Sequence, residues 1–548
     1  MNGRNVVRSH PVAMSSLTPE QLRRSVAKLL VVRASGHHQD NQRRYPRWEL
    51  SNEQLKRLLD DGVGGVILLG GSAVELQQRT LQLQSWSSQP LLFCADVEEG
   101  IGQRFEGASW LVPPLALGRL YQTEPDRAIS LAERYGRCTA DQARRCGLNW
   151  VLGPVCDVNN NPANPVINVR AWGEHPATAG ALASAFQKGL AKGGVLGCAK
   201  HFPGHGDTAS DSHLDLPVLP HNLERLHQVE LPPFREVIAA GVDSVMTAHL
   251  LLPELDPKQP ATLSPTVLTD LLRRGLGFEG LVVTDALVMK AIAARHGAAE
   301  AAVLAFIAGA DLILMPGDAD DAINGLCSAL TSGRLSIERL EQSLARRRQA
   351  LQCTRPSSPS TPSTAMVTSD ERQLEEELIA RTLQVHGPPS IGVSKGINLI
   401  RVDSVVPNCA VLNAEAPALA LPSAQGLNPV VIHGQGVSPW QSNPEEPLAL
   451  DRLGDGSVLL QLFLRGNPFR GSRDSHEPWP AAIRQLLALN RLAGVIVYGS
   501  PYLWDTLQPL FPDTLPAAYS PGQMQEAQRQ VLSKLMSSGR TEAGAFTD

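Results

Sequence analysis

Val195-Leu-Gly-Cys-Ala-Lys200-His-Phe-Pro-Gly-His205-Gly-Asp-Thr-Ala-Ser210-Asp-Ser-His-Leu-Asp215-Leu-Pro217 joins a short apolar run to a glycine-punctuated polar segment. Val195–Ala199 reads as a buried strand, and the polar residues leave its C-terminal end. Three histidines, three aspartates and one lysine follow within residues 200–217. Titratable groups at the end of a buried strand are costly to bury, so such a cluster marks a site. Imidazoles exchange protons near neutral pH, and neighbouring carboxylates tune them. Pro203, Gly204 and Gly206 disfavour a helix, so His201 and His205 do not share a helical face and the segment reads as a loop.

Outward from this stretch, seven further apolar runs of similar length recur: Leu29–Val32, Gly65–Leu69, Leu91–Ala95, Asn149–Leu152, Ser244–Ala248, Leu281–Thr284 and Leu312–Met315. Helical spacing appears between them at Ala128–Cys146, Ala177–Lys192, Pro265–Arg274 and Ala298–Ala308. Eight strands alternating with helices predict a (β/α)8 barrel of the TIM type, with a doubly wound open sheet as the competing arrangement. The strand ends favour the barrel. Asp96, Asp157, Lys200–His201, His249 and Asp285 each stand at or just past the C-terminal end of a different strand, and only a ring makes five such ends converge.

The barrel closes with a helical pattern at Ile337–Leu351, giving a catalytic unit over residues 1–353. Residues 354–369 open with Thr-Arg-Pro-Ser-Ser-Pro-Ser-Thr-Pro-Ser-Thr, which cannot bury a core and reads as an extended linker. Residues 370–548 hold a helical pattern at Glu371–Val385 and apolar runs at Ile397–Ile400, Val458–Leu464 and Val495–Tyr498. They predict a smaller α/β domain with a frayed tail from Ser537.

The chain's 548 residues carry a formal charge of −5, so a nucleic-acid footprint is not expected. No apolar run reaches the roughly 20 residues of a membrane span, and the first residues resemble no secretory signal. The eight cysteines are scattered without CxxC pairs. They read as small buried hydrophobes of a reducing compartment, and the expected location is the cytoplasm.

Within the loop, Asp211 stands two residues before His213, which suits a carboxylate that orients an imidazole acid/base. Turn and capping duty is the alternative for both. A metal held by His201, His205 and His213 would need a spacing that matches no recognised ligand pattern. Asp285 ends the run Gly280-Leu-Val-Val-Thr and is either a helix N-cap or a nucleophile facing the barrel mouth. Asp96 and Arg104 bracket another loop, where a solvated salt bridge explains them equally well. Arg170 is by default an ordinary loop arginine.

The run Lys200–His213 resembles the signature of the bacterial β-N-acetylhexosaminidases of glycoside hydrolase family 3, over about residues 20–350. Pro154-Val-Cys-Asp-Val, Met246-Thr-Ala-His, Pro260-Ala-Thr-Leu-Ser and Leu271–Leu287 belong to the same resemblance. It implies a retaining exo-β-N-acetylglucosaminidase that needs no metal or organic cofactor. The substrate implied is a small carbohydrate with a terminal GlcNAc, such as peptidoglycan-derived fragments in cell-wall recycling. By the same resemblance Asp285 is the nucleophile, His213 the acid/base and Asp211 its tuning carboxylate. Asp96, Arg104, Arg170, Lys200 and His201 would hold the terminal sugar. Two stretches depart from the pattern. Asp96-Val-Glu-Glu-Gly-Ile-Gly stands for the usual Asp-Gln-Glu-Gly-Gly-Arg-Val, and Arg170-Ala-Trp-Gly for Arg-Ser-Phe-Gly. An exo-β-glucosidase of the same family and a non-catalytic sugar or muropeptide sensor are the rival readings.

Overall fold

A computed structural model of the chain describes residues 17–208, 215–355, 365–392, 395–402, 411–433, 436–465 and 477–536. All eight strands expected in the first part are present and parallel. They are β1 (Leu30–Ser35), β2 (Gly65–Leu69), β3 (Leu92–Ala95), β4 (Trp150–Val151), β5 (Cys198–Phe202), β6 (Ser244–Thr247), β7 (Leu281–Val283) and β8 (Ile313–Leu314). Two sheets form, ordered β4-β3-β2-β1-β8 and β5-β6-β7. Single bridges, Trp150 with Leu196 and Val283 with Leu312, join them at both seams and close the ring. The expected barrel is therefore the observed architecture, and the open sheet is not. One boundary moves: β5 runs to Phe202, so Lys200 and His201 are strand residues rather than the first residues of the loop.

The strands read as nearly unbroken apolar runs because a parallel barrel strand is covered on both faces. Helix Pro125–Arg145 lies on helix Pro176–Gly193, and their first turns start at prolines whose fixed φ suits that position. The two helices approach closely. A Cβ on Gly136 would stand 2.1 Å from the Phe186 carbonyl oxygen, and one on Gly189 2.2 Å from that of Glu133. Cys94, Cys138, Cys146, Cys156 and Cys198 are buried, unpaired side chains, as their apolar surroundings predicted.

A second sheet lies after the barrel: β9 (Gln384–His386), β10 (Gly396–Val402), β11 (Leu427–His433), β12 (Ser457–Leu464), β13 (Leu492–Gly499) and β14 (Ala517–Ser520). Its order is β11-β10-β12-β13-β14-β9, parallel except for the antiparallel edge strand β9. The helix expected over Glu371–Val385 spans Ser369–Thr382, and Val385 pairs with Ala518 in the sheet instead. Leu374, Leu378 and Ile379 of that helix, with Met524 and Ala527, join the barrel's apolar core. Among the described residues, no helix is long and apolar enough to cross a membrane.

Candidate active site

Five of the six described candidate residues stand at the mouth formed by the C-terminal ends of β3, β5 and β7, and Arg170 reaches it through Glu98. Lys200, in β5, points its ammonium between two carboxylates, 2.8 Å from Asp96 Oδ1 and 2.7 Å from Glu98 Oε1. Its side chain is 1% exposed. Burial works against the ammonium, but Asp96 and Glu98 outweigh it and raise its pKa above the ordinary lysine range. Arg170, in the short turn Asn168–Arg170, grips Glu98 with two bonds of 2.8 Å. Burial opposes the Glu98 charge, yet Arg170 and Lys200 hold its carboxyl well below the usual range. Glu98 thus ties two cations into one rigid frame and leaves Asp96, with its side chain 41% exposed, facing outward. Arg104 donates from Nε to the Asp96 carbonyl oxygen at 3.0 Å. The contact is to backbone, so the solvated Asp96–Arg104 salt bridge considered from the sequence is not what the structure has.

His201 is fixed by Asp157, whose Oδ2 lies 2.7 Å from the ring Nδ1. Asp157 is fully buried and also accepts the backbone N–H of His201 and of His205. Burial opposes its charge, but His201 and these hydrogen bonds outweigh that and lower its pKa. One carboxylate therefore anchors the whole run from Lys200 to His205. Asn164 completes the clamp by donating from Nδ2 to the carbonyl oxygens of His205 and Gly206, each at 2.8 Å. Gly206 has no room for a side chain, since a Cβ there would lie 1.7 Å from the Val158 carbonyl oxygen. His205 itself is buried, with Nδ1 2.7 Å from Thr208 Oγ1. Burial pushes its pKa down to about 4, so the ring is neutral near pH 7.

Asp285 follows β7 and is held in place from β6. Its backbone N–H reaches Thr247 Oγ1 at 3.4 Å, and His249 Nε2 lies 3.1 Å from the Ala286 carbonyl oxygen. His249 is in turn set by Thr262, 2.8 Å from Nδ1. No helix starts at Asp285: the next one begins at Lys290. The N-cap alternative is therefore removed. Burial, against the opposing effects of Ser244 and Lys200, keeps the Cys198 thiol raised to about 12. Asp96 after β3 and Asp285 after β7 follow parallel strands of one ring, so both stand on its C-terminal face. Asp211 and His213 lie outside the described residues.

The sequence reading passed over Glu98, which holds Lys200 and Arg170 together, although two cations converging on one site needed a counter-charge. It also passed over the neighbouring Glu99. That carboxylate is buried and accepts from Trp110 Nε1 at 2.8 Å and from both Nη atoms of Arg465, the Nη1 bond to Oε2 being 2.9 Å. Arg465 directly follows β12, so the second sheet supplies a cation to the shell of the mouth. Among the described residues no group of three or more metal-ligating side chains forms.

Residues 21–349 match the family model of the glycosyl hydrolase family 3 N-terminal domain, and residues 391–537 that of the bacterial glycosyl hydrolase family 3 C-terminal domain. A beta-hexosaminidase of Stenotrophomonas maltophilia strain K279a is 37% identical over 287 residues, 51% of this chain and 84% of that protein. The structure of a glycoside hydrolase family 3 beta-N-acetylglucosaminidase from Paenibacillus sp. strain FPU-7 matches with a TM-score of 0.75 and 28% identity. That match covers 94% of this chain and 96% of the other. NagZ from Neisseria gonorrhoeae, solved in complex with N-trifluoroacetyl-D-glucosamine, is 30% identical with a TM-score of 0.51, over 63% of this chain and 96% of its own.

Proposed function

Because the chain belongs to glycosyl hydrolase family 3, we propose that it is a retaining exo-β-N-acetylglucosaminidase releasing terminal, non-reducing GlcNAc. In this reading residues 1–353 are the catalytic unit, 354–369 a linker and 370–548 a supporting domain. Asp285 attacks the anomeric carbon while His213 donates a proton to the departing glycosidic oxygen, which breaks the C1–O bond. His213 then takes a proton from water, which attacks C1 and frees the Asp285 carboxylate. Asp211 orients and tunes the imidazole. Asp96, Lys200, His201, Arg104 and Arg170 hold or shape the place of the terminal sugar.

One observation carries the reading. The backbone that carries Asp285, held by Thr247 and His249, follows β7 on the face where the ends of β3 and β5 carry the Asp96–Lys200–Glu98–Arg170 frame. A rigid polar frame suits hydroxyl recognition, and a separately fixed carboxylate suits attack on the ring it holds. The beta-hexosaminidase and beta-N-acetylglucosaminidase relatives point to a hexosamine ring. We assign GlcNAc–anhydromuramyl fragments of cell-wall recycling as substrate, water as acceptor and the cytoplasm as location. The deciding assay compares 4-nitrophenyl β-GlcNAc, β-GalNAc and β-glucoside with and without phosphate. Fast release from the GlcNAc compound alone supports the assignment, and preferred release from the glucoside overturns it.

A further inference from the structure

Two neighbouring strands of the second sheet end against the barrel. Arg465 follows β12 and meets Glu99. Tyr502, in the helix Pro501–Leu507 that follows β13, plays no part in the reaction above. Its hydroxyl accepts from Asn159 Nδ2 at 2.6 Å and donates to the Glu174 carboxylate. Burial and Glu174 push its pKa up, so the hydroxyl keeps the proton it donates. Arg119 covers the ring, 5.3 Å from its centroid, and lies 3.4 Å from Glu174 Oε1. One hydroxyl from the second sheet therefore joins the two ends of a barrel loop.

Residues 159–174 form that loop, which leaves the barrel after β4 and returns ahead of the helix Pro176–Gly193. Its neck is closed by the Asn159 N–H, 3.0 Å from the Gly173 carbonyl oxygen. Packing fixes the returning limb, since the buried Trp172 ring meets Tyr135 at 5.5 Å and Phe186 at 5.3 Å between centroids. On the outgoing limb, Asn159 is buried and spends its side chain at both ends. Its Oδ1 accepts the Asn168 N–H at 2.9 Å, and its Nδ2 goes to Tyr502. Asn168 draws on that support, because its φ of 43° lies in the left-handed region, which is costly for a residue with a side chain. The turn Asn168–Arg170 starts there and brings Arg170 to Glu98. The same loop carries Asn164, which holds the carbonyl oxygens of His205 and Gly206. A path of named bonds thus runs from Tyr502 through Asn159 and Asn168 to the Arg170–Glu98 pair.

We propose that Tyr502 is a positioning residue: its hydroxyl clasps the neck of loop 159–174 and so fixes Arg170 against Glu98. This deepens the hexosaminidase reading, on which it rests for the sugar that the frame holds. Tyr502→Phe removes the hydroxyl, keeps the ring and leaves Asn159 Nδ2 buried without its acceptor. KM for 4-nitrophenyl β-GlcNAc should rise about 3- to 10-fold, the worth of one buried hydrogen bond, with kcat within about 2-fold. Asn159→Ala should raise KM as well. Adding Tyr502→Phe to it should then change KM by less than about 2-fold, because both act along one path. Glu377→Gln breaks the pairs with Arg127 and Arg134 that join helices Ser369–Thr382 and Pro125–Arg145. It is the control for docking alone and should leave KM unaltered. Hydrogen exchange read by mass spectrometry needs no turnover. Tyr502→Phe should speed exchange within residues 159–174 about 3-fold or more, and Glu377→Gln should not. An unchanged KM in Tyr502→Phe, additive effects with Asn159→Ala, an equal rise in Glu377→Gln, or unchanged exchange in the loop each overturns the clasp. If the unaltered protein releases nothing from the GlcNAc compound, the function falls, and the exchange result alone decides the clasp.

Discussion

In the proposed reaction Asp285 must be ionised, accessible and fixed, and its surroundings supply the third condition from β6. Its side chain is only half-buried, and its Oδ1 accepts the adjacent Ala286 N–H at 2.8 Å. Asp285→Ala should lower kcat on 4-nitrophenyl β-GlcNAc by about 10²–10⁴ or more. The melting temperature should barely move. A variant that keeps its rate removes Asp285 from the chemistry. His205 has the opposite character, buried, neutral and structural. Its folded pKa of about 4 lies below the ordinary 6.5, so its contribution to stability is complete above pH 6.5 and fades as pH falls toward 4. The shift corresponds to about 3 kcal/mol. Urea unfolding at pH 4.5 and 7 should show a larger gap for the unaltered protein than for His205→Gln, and identical gaps would contradict the assignment. The titratable residues of the segment were legible because their density has no cheap explanation in a turn. The division between His201 on Asp157 and a neutral His205 on Thr208 was not, because it depends on which side chain meets a buried carboxylate from β4's far end.

Strands were easier to read than loops for a physical reason. A barrel strand is covered on both faces and writes itself as an apolar run, which is why Gly65–Leu69 and Ser244–Thr247 appear where the sequence placed them. Strand β11 escaped notice because it is a sheet edge. It carries Asn428 and Pro429, is only partly covered, and an edge tolerates a proline that an interior strand does not. Strand β14, Ala517–Ser520, carries no β-branched residue, so its run does not stand out from its surroundings. The loop after β5 is set by contacts rather than pattern, and Gly206 shows how tightly. Gly206→Ala would drive a Cβ into the Val158 carbonyl, so residues 205–208 must shift away from Asp157 and Asn164. Stability should fall by about 1–3 kcal/mol, the range of overpacking, with a loss of activity larger than the stability change explains at assay temperature. Thermal melts beside turnover at 25 °C check this. An active, unshifted variant would mean that the segment is not clamped.

At the scale of the molecule, the barrel and the second sheet share charges as well as apolar surface. Arg119 meets Asp505 at 2.6 Å, and Arg134 meets Glu377 at the same distance, but these pairs are partly exposed and screened. Arg465 and Glu99 are different, since both side chains are largely hidden and they lie 366 residues apart. No reading of the chain could pair them, because nothing local to either residue mentions the other. Glu99 adjoins Glu98, the carboxylate that holds Lys200 and Arg170, and Arg465 also feels Glu98. Arg465 is therefore a positioning residue: docking of the second sheet neutralises a buried charge one residue from the Glu98 frame. Arg465→Met would leave Glu99 buried with Trp110 alone, at a cost of about 3–5 kcal/mol. Adding Glu99→Gln removes the stranded charge, so the double variant should recover most of that stability. If the pair only glues two domains, KM and kcat of the double variant return to normal. If it also steadies the Glu98 frame, KM for 4-nitrophenyl β-GlcNAc stays raised after stability has recovered. A single variant as stable as the unaltered protein would show that the pair bears no weight at all.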